Sequence, residues 1–129
     1  MTDRGLRTPL ARVRGLGSAK GGTHHFWLQR LTAIALIPLT LWFALSMASL
    51  ATADLPAVLA WMRSPLSATL MLSFLLAGFW HMKLGLQVVI EDYVHGPFAK
   101  HLLLLLVTFV SFSLGAGAIF AVLKIALRG

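Results

Sequence analysis

His81 is an ionisable residue inside an apolar run, Leu66 to Ile90, that closes on Glu91-Asp92-Tyr93. Holding such a side chain at bilayer depth is costly, which makes it a functional candidate. Neutral imidazole is also an axial ligand for haem iron. On a helix with His81 set at zero, Ala77 falls at about −40°, Gly78 at about 60°, Gly85 at about 40° and Asp92 at about 20°. Small side chains therefore flank the ring on its own face, shallow enough for a flat macrocycle to approach the backbone. Membrane helices use the same small residues simply to pack against one another, and on spacing alone packing is the favoured reading of the glycines. Ser111/Gly115 and Ser113/Gly117 repeat it in a later apolar run, where packing alone is expected.

Tyr93 lies about 18 Å along the axis from His81, which predicts a place at a membrane interface, where tyrosines commonly anchor. Arg30, at the start of the first apolar run, is expected at a similar depth, so that His24, His25, Asp92 and Tyr93 converge with it. Such a cluster can hold an amphipathic molecule with a polar head and an apolar tail. It can equally hold haem propionates, to which the forked guanidinium is well suited. Lys83 sits about 200° from His81 and so on another face. Snorkelling, a carboxylate on another chain and a water-filled path are all open to it.

Three apolar stretches must position these groups: Leu31 to Leu50, Leu66 to Ile90 and Leu102 to Leu123. Each reaches the roughly 20 residues that a spanning helix needs. The chain of 129 residues is 58% hydrophobic and only 12% charged, against about a quarter charged in ordinary soluble domains. Its mean hydropathy is +0.84. An all-α membrane protein with three transmembrane helices follows, the helices running over about 24–49, 66–92 and 99–125. Residues 1–22 form a basic, glycine-containing tail and residues 23–129 the membrane domain. Thr23 is placed to cap the first helix, and Pro38 to kink it within tolerance for a membrane span. Ala51 to Pro65 reads as a loop lying along the outer surface, and Gly96-Pro97 as a turn. The first run starts too late, and lacks the cleavage pattern, for a signal peptide.

Eleven lysines and arginines against four acids give a net charge of +7. Arg4, Arg7, Arg12, Arg14, Lys20 and Arg30 all precede the bulk of the first span. That is the positive-inside distribution, predicting a cytoplasmic N-terminus and, after three spans, an outside C-terminus. With Lys100 inside, and Arg63, Lys124 and Arg128 outside, the balance is seven to three. A basic juxtamembrane tail facing anionic lipid explains the charge without nucleic acid. There is no cysteine, so disulfides, thiolate metal sites and Fe–S clusters held by this chain are excluded. The stretch Gly15-Leu16-Gly17-Ser18-Ala19-Lys20-Gly21-Gly22 lacks the spacing and the preceding strand of a phosphate loop. No internal repeat is visible, and three spans do not make the paired halves of many transporters.

His81-x3-Gly85-x-Gln87-Val88-x3-Asp92-Tyr93 resembles the second transmembrane helix of the succinate dehydrogenase hydrophobic membrane anchor subunit of respiratory complex II. Gly22-Thr23-His24-x5-Arg30-x-Thr32-Ala33-Ile34 resembles that family's entry into helix 1. The similarity runs from about Gly15 onward and includes the three-span layout. The resemblance implies pairing with a second three-helix anchor, the cytochrome b subunit, to bind one haem b. It implies that both dock the flavoprotein and iron–sulfur subunits at the cytoplasmic face of a bacterial inner membrane. His81 would be one axial ligand, the other coming from the partner chain. Tyr93 would donate a hydrogen bond to the ubiquinone head group, with Asp92 supporting the quinone end. Arg30 would lie near the haem propionates, with His24 in their vicinity. Lys83 departs from the aromatic or apolar residue expected at its position.

The resulting reading is a non-catalytic anchor and quinone-site subunit of succinate:ubiquinone oxidoreductase, with the succinate chemistry elsewhere. Alternatives are the anchor of a fumarate reductase, a small proton- or ion-conducting subunit using His81 and Lys83 as relay groups, and a purely structural membrane subunit.

Overall fold

The computed structural model describes residues 8–13 and 21–128. Among these, five helices follow one another: α1 (Pro9–Val13), α2 (Gly22–Leu50), α3 (Leu55–Arg63), α4 (Pro65–Tyr93) and α5 (Pro97–Ala126), with no strand. The expected readings of Arg4, Arg7, Arg14 and Lys20 lie outside the described residues.

α2, α4 and α5 are 29, 29 and 30 residues long and apolar enough to cross a membrane. At 1.5 Å per residue each is about 44 Å long, more than the hydrocarbon core of about 30 Å. Their ends therefore reach into the interfacial regions or the helices tilt. All three spans are where the sequence predicts them, each a few residues longer. The first and third each start two residues earlier than expected. α2 begins at Gly22, with Gly21 at the N-cap in a helical conformation (φ −79°, ψ −3°) and no side-chain cap. Thr23 is thus inside the helix rather than capping it. Pro38 sits within α2, which continues as helix to Leu50.

The expected outer loop contains a helix. Asp54 caps α3 by accepting a hydrogen bond from the Ala57 amide at 3.0 Å. Pro56 falls in the first turn, where its missing N–H costs nothing. Trp61 of α3 stacks on Trp42 of α2, centroids 5.7 Å apart, which ties this segment to the bundle.

α4 is central, packing against α2, α3 and α5. α2 and α4 run antiparallel: Thr32 meets His81 at 3.0 Å and Phe43 stacks on Phe74 at 4.9 Å. α5 is antiparallel to α4, with Trp80 edge-on to Phe112 at 6.4 Å. At the Tyr93 end, the Lys100 ammonium donates to the Glu91 carbonyl at 2.9 Å, satisfying one of the carbonyls that a helix end leaves free. Few side chains are buried. Leu84, Ile90, Ser67, Val122, Ser111 and Gly115 form the interior, and α2 contributes none. Large apolar residues such as Leu31, Ile34, Ile37, Leu41 and Leu45 face outward along α2, as lipid or a partner helix requires.

Ser111 and Gly115 pack as expected, whereas Ser113 and Gly117 are exposed. A Cβ added at Gly115 would lie 3.3 Å from Phe79 Cγ. Gly115→Val should therefore force α4 and α5 apart and cost about 1–3 kcal/mol, as overpacking does. Thermal denaturation of the purified membrane complex reads this as a lowered Tm. An unchanged Tm would mean that the α4–α5 contact is loose.

Candidate functional site

His81 projects from α4 towards α2. Its Nδ1 lies 3.0 Å from the Thr32 hydroxyl. The same hydroxyl lies 2.8 Å from the Leu28 carbonyl and 3.1 Å from the Gln29 carbonyl, one turn back on α2. Both side chains are half-buried. Among the described residues no group hydrogen-bonds Nε2 of His81.

The two glycines beside His81 differ in their surroundings. A Cβ on Gly78 would meet the Leu36 side chain at 4.0 Å, so this glycine faces α2. Nothing lies within 4 Å of the Cβ position at Gly85. An open groove of about 560 Å³ runs beside the ring, walled by Ala33, Leu36, Ile37, Thr40 and Ala44 of α2. The wall is almost wholly apolar, and Thr40 is its other polar side chain.

Lys83 lies on the opposite side of α4. It lines a second groove of about 170 Å³ with Phe79, Ser111, Phe112 and Gly115. Among the described residues its ammonium makes no hydrogen bond or ion pair. The helix itself stands between Lys83 and His81, so the arrangement gives no support to a relay between them.

The polar residues near the ends of α2 and α4 do not form the single cluster expected from sequence. The Thr32–His81 contact fixes the register. Arg30 is two residues from Thr32, about 3 Å along the axis, whereas Tyr93 is about 18 Å beyond His81. Arg30 therefore lies nearer the level of His81 than that of Tyr93, contrary to the expectation of similar depth. Arg30 is eight residues into α2, more than two turns from its start at Gly22. Its guanidinium lies over the Phe26 ring, 5.3 Å from the centroid. The Arg30 side chain is exposed and has no carboxylate partner among the described residues. His24 is exposed, and His25 has a buried Nε2 with no hydrogen-bond partner.

Tyr93 is the last residue of α4 and is 77% exposed. Asp92 beside it is also exposed, and neither makes a hydrogen bond through its side chain among the described residues. Glu91 differs, its carboxylate accepting from the Gln87 amide at 2.9 Å. No three His, Cys, Asp or Glu side chains cluster among the described residues. Thr32 is the residue that sequence reasoning missed. It stands in the quoted helix 1 motif, but only the helix register shows that it faces His81.

A family model described as succinate dehydrogenase/fumarate reductase transmembrane subunit matches residues 4–115. The chain belongs to this family. Among curated relatives, the succinate dehydrogenase hydrophobic membrane anchor subunit of Paracoccus denitrificans is 31% identical over 93% of this chain and 92% of its own length. That of Rickettsia bellii (strain RML369-C) is 34% identical over 69% of this chain and 71% of its own. The succinate dehydrogenase membrane anchor subunit of Reclinomonas americana is 34% identical over 60% and 67% respectively. No solved structure gives a significant match. Three long apolar helices in a member of this transmembrane family make the chain a multi-pass membrane protein.

Proposed function

We propose that this chain is the membrane anchor subunit of a succinate:ubiquinone oxidoreductase and that His81 is an axial ligand of a haem b shared with a second anchor subunit. The observation that carries the reading is His81 itself. Its Nδ1 is held by Thr32, Nε2 has no partner among the described residues, and an open apolar groove lies alongside. These suit an axial imidazole: a ring held at one nitrogen, the other nitrogen free, and unfilled space beside the ring. When bound, haem b supplies a one-electron redox centre. In this reading a histidine of the cytochrome b anchor subunit is the second ligand, and that subunit closes the groove.

Arg30, without a carboxylate partner among the described residues and near the level of His81, is the residue suited to hold the propionates, with His24 one to two turns away. Tyr93 and Asp92 stand at the helix end, the depth at which a ubiquinone head group can sit while its isoprenoid tail stays in lipid. The Tyr93 hydroxyl donates to a quinone carbonyl and Asp92 supports the same polar end. The flavoprotein and iron–sulfur subunits dock at this end, on the cytoplasmic face of a bacterial inner membrane. The named relatives favour succinate oxidation over fumarate reduction, although the family model covers both.

Affinity isolation of the tagged chain from solubilised membranes tests the assignment. A second anchor, an iron–sulfur subunit and a flavoprotein should co-purify with it and with succinate oxidation. Recovery of the chain alone, or with unrelated subunits, would overturn the assignment. The basic tail predicts that reporter fusions place the N-terminus in the cytoplasm and the C-terminus outside. A cytoplasmic C-terminus would contradict the three-span topology.

A further inference from the structure

The geometry points to Thr32 as the residue that sets the His81 tautomer, placing the ring proton on Nδ1 and leaving the Nε2 lone pair for the iron. This rests on the ligand reading above and extends it to a residue with no assigned role.

A threonine hydroxyl has one proton and two acceptor lone pairs. Thr32 is within a helix, where such a hydroxyl commonly donates back to the carbonyl four residues earlier. The Leu28 carbonyl is at 2.8 Å, the shortest of its three contacts, and Gln29 offers a further acceptor at 3.1 Å. With its proton committed there, the hydroxyl meets His81 Nδ1 at 3.0 Å with a lone pair. Nδ1–H must then be the donor. In a neutral ring the proton on Nδ1 removes it from Nε2, the nitrogen with no partner among the described residues. The opposite tautomer would take the Thr32 proton away from both carbonyls and put a proton on Nε2 with nothing to receive it. Thr32 is accordingly a positioning residue. Its hydroxyl orients the ring and, by accepting the Nδ1 proton, makes the imidazole a more basic ligand.

The test uses the intact membrane complex. Thr32→Val keeps the branched shape and removes the acceptor, whereas Thr32→Ser keeps the hydroxyl. A less basic imidazole favours ferric iron less, so the haem midpoint potential should rise in Thr32→Val. A tenfold change in relative affinity for the two oxidation states corresponds to about 59 mV for one electron, and a shift of that order is expected. Haem affinity should fall by about 10- to 100-fold, as when outer-shell partners of metal ligands are removed. Thr32→Ser should restore both values, which a purely packing role would not demand of so small a side chain. Thr32→Ala makes the same prediction and serves if the valine variant does not assemble.

Wild-type potential and electron paramagnetic resonance spectrum in Thr32→Val or Thr32→Ala would overturn the inference. Failure of the underlying reading shows differently. If His81→Ala keeps the wild-type haem spectrum, His81 is not a ligand and Thr32 has nothing to orient. If His81→Ala loses that spectrum while the Thr32 variants match wild type, only the role of Thr32 falls.

Discussion

Tyr93→Phe is expected to slow quinone reduction by the complex roughly 5- to 150-fold. The substitution keeps the ring at the end of α4 and removes only the hydroxyl. That hydroxyl has no protein partner among the described residues and the side chain is 77% exposed, so its donor is available to a ligand. A hydrogen bond lost without replacement costs about 1–3 kcal/mol, the origin of the range given. Succinate oxidation by an artificial acceptor that takes electrons before the membrane subunits should be unchanged. Stability should also be unchanged, because the side chain is largely exposed and its hydroxyl makes no hydrogen bond among the described residues. Unaffected quinone reduction in an intact complex would reduce Tyr93 to an interfacial anchor. A parallel fall in both activities would identify an assembly defect rather than a loss of quinone binding.

The second large effect is expected at His81. His81→Ala removes the proposed ligand but leaves Thr32 with its carbonyl acceptors on α2, so the bundle loses no obligatory buried hydrogen bond. The defect should be confined to the haem. Outer-shell changes alone cost about 10- to 100-fold in metal affinity, and loss of the ligand should cost at least as much. The purified variant is expected to have its normal subunits and a depleted or high-spin haem in the visible spectrum. Full retention of low-spin haem at the wild-type potential would refute ligation by His81.

The parts of this arrangement differ in how far the sequence discloses them. The spans are legible because an apolar run of bilayer length has one favourable conformation in lipid, a helix with all backbone groups paired internally. His81 is legible for a related reason: a lone imidazole among apolar residues stands out at any register. α3 was missed as a helix although Asp54 and Pro56 are ordinary start signals, because nine residues fall far short of a span and the segment reads as a connection. The depth of Arg30 relative to Tyr93 is not legible in the sequence, because it depends on the register of α2 against α4 that the Thr32–His81 contact fixes. Thr32 was hidden more deeply. Its partner is 49 residues away, and the meeting depends on how α2 and α4 cross. Lys83 is plain in the sequence, and the structure gives it a groove between α4 and α5 but no counter-charge among the described residues.

The central claim, that His81 supplies an imidazole to haem b, is tested most directly by near-infrared magnetic circular dichroism of the oxidised complex carrying His81→Met. A thioether is a competent haem ligand that raises the potential relative to imidazole, so the variant can keep its haem while changing its donor. The bis-imidazole charge-transfer band of the wild type should disappear from the variant. A bis-imidazole band that persists unchanged in a fully assembled His81→Met complex would contradict the account.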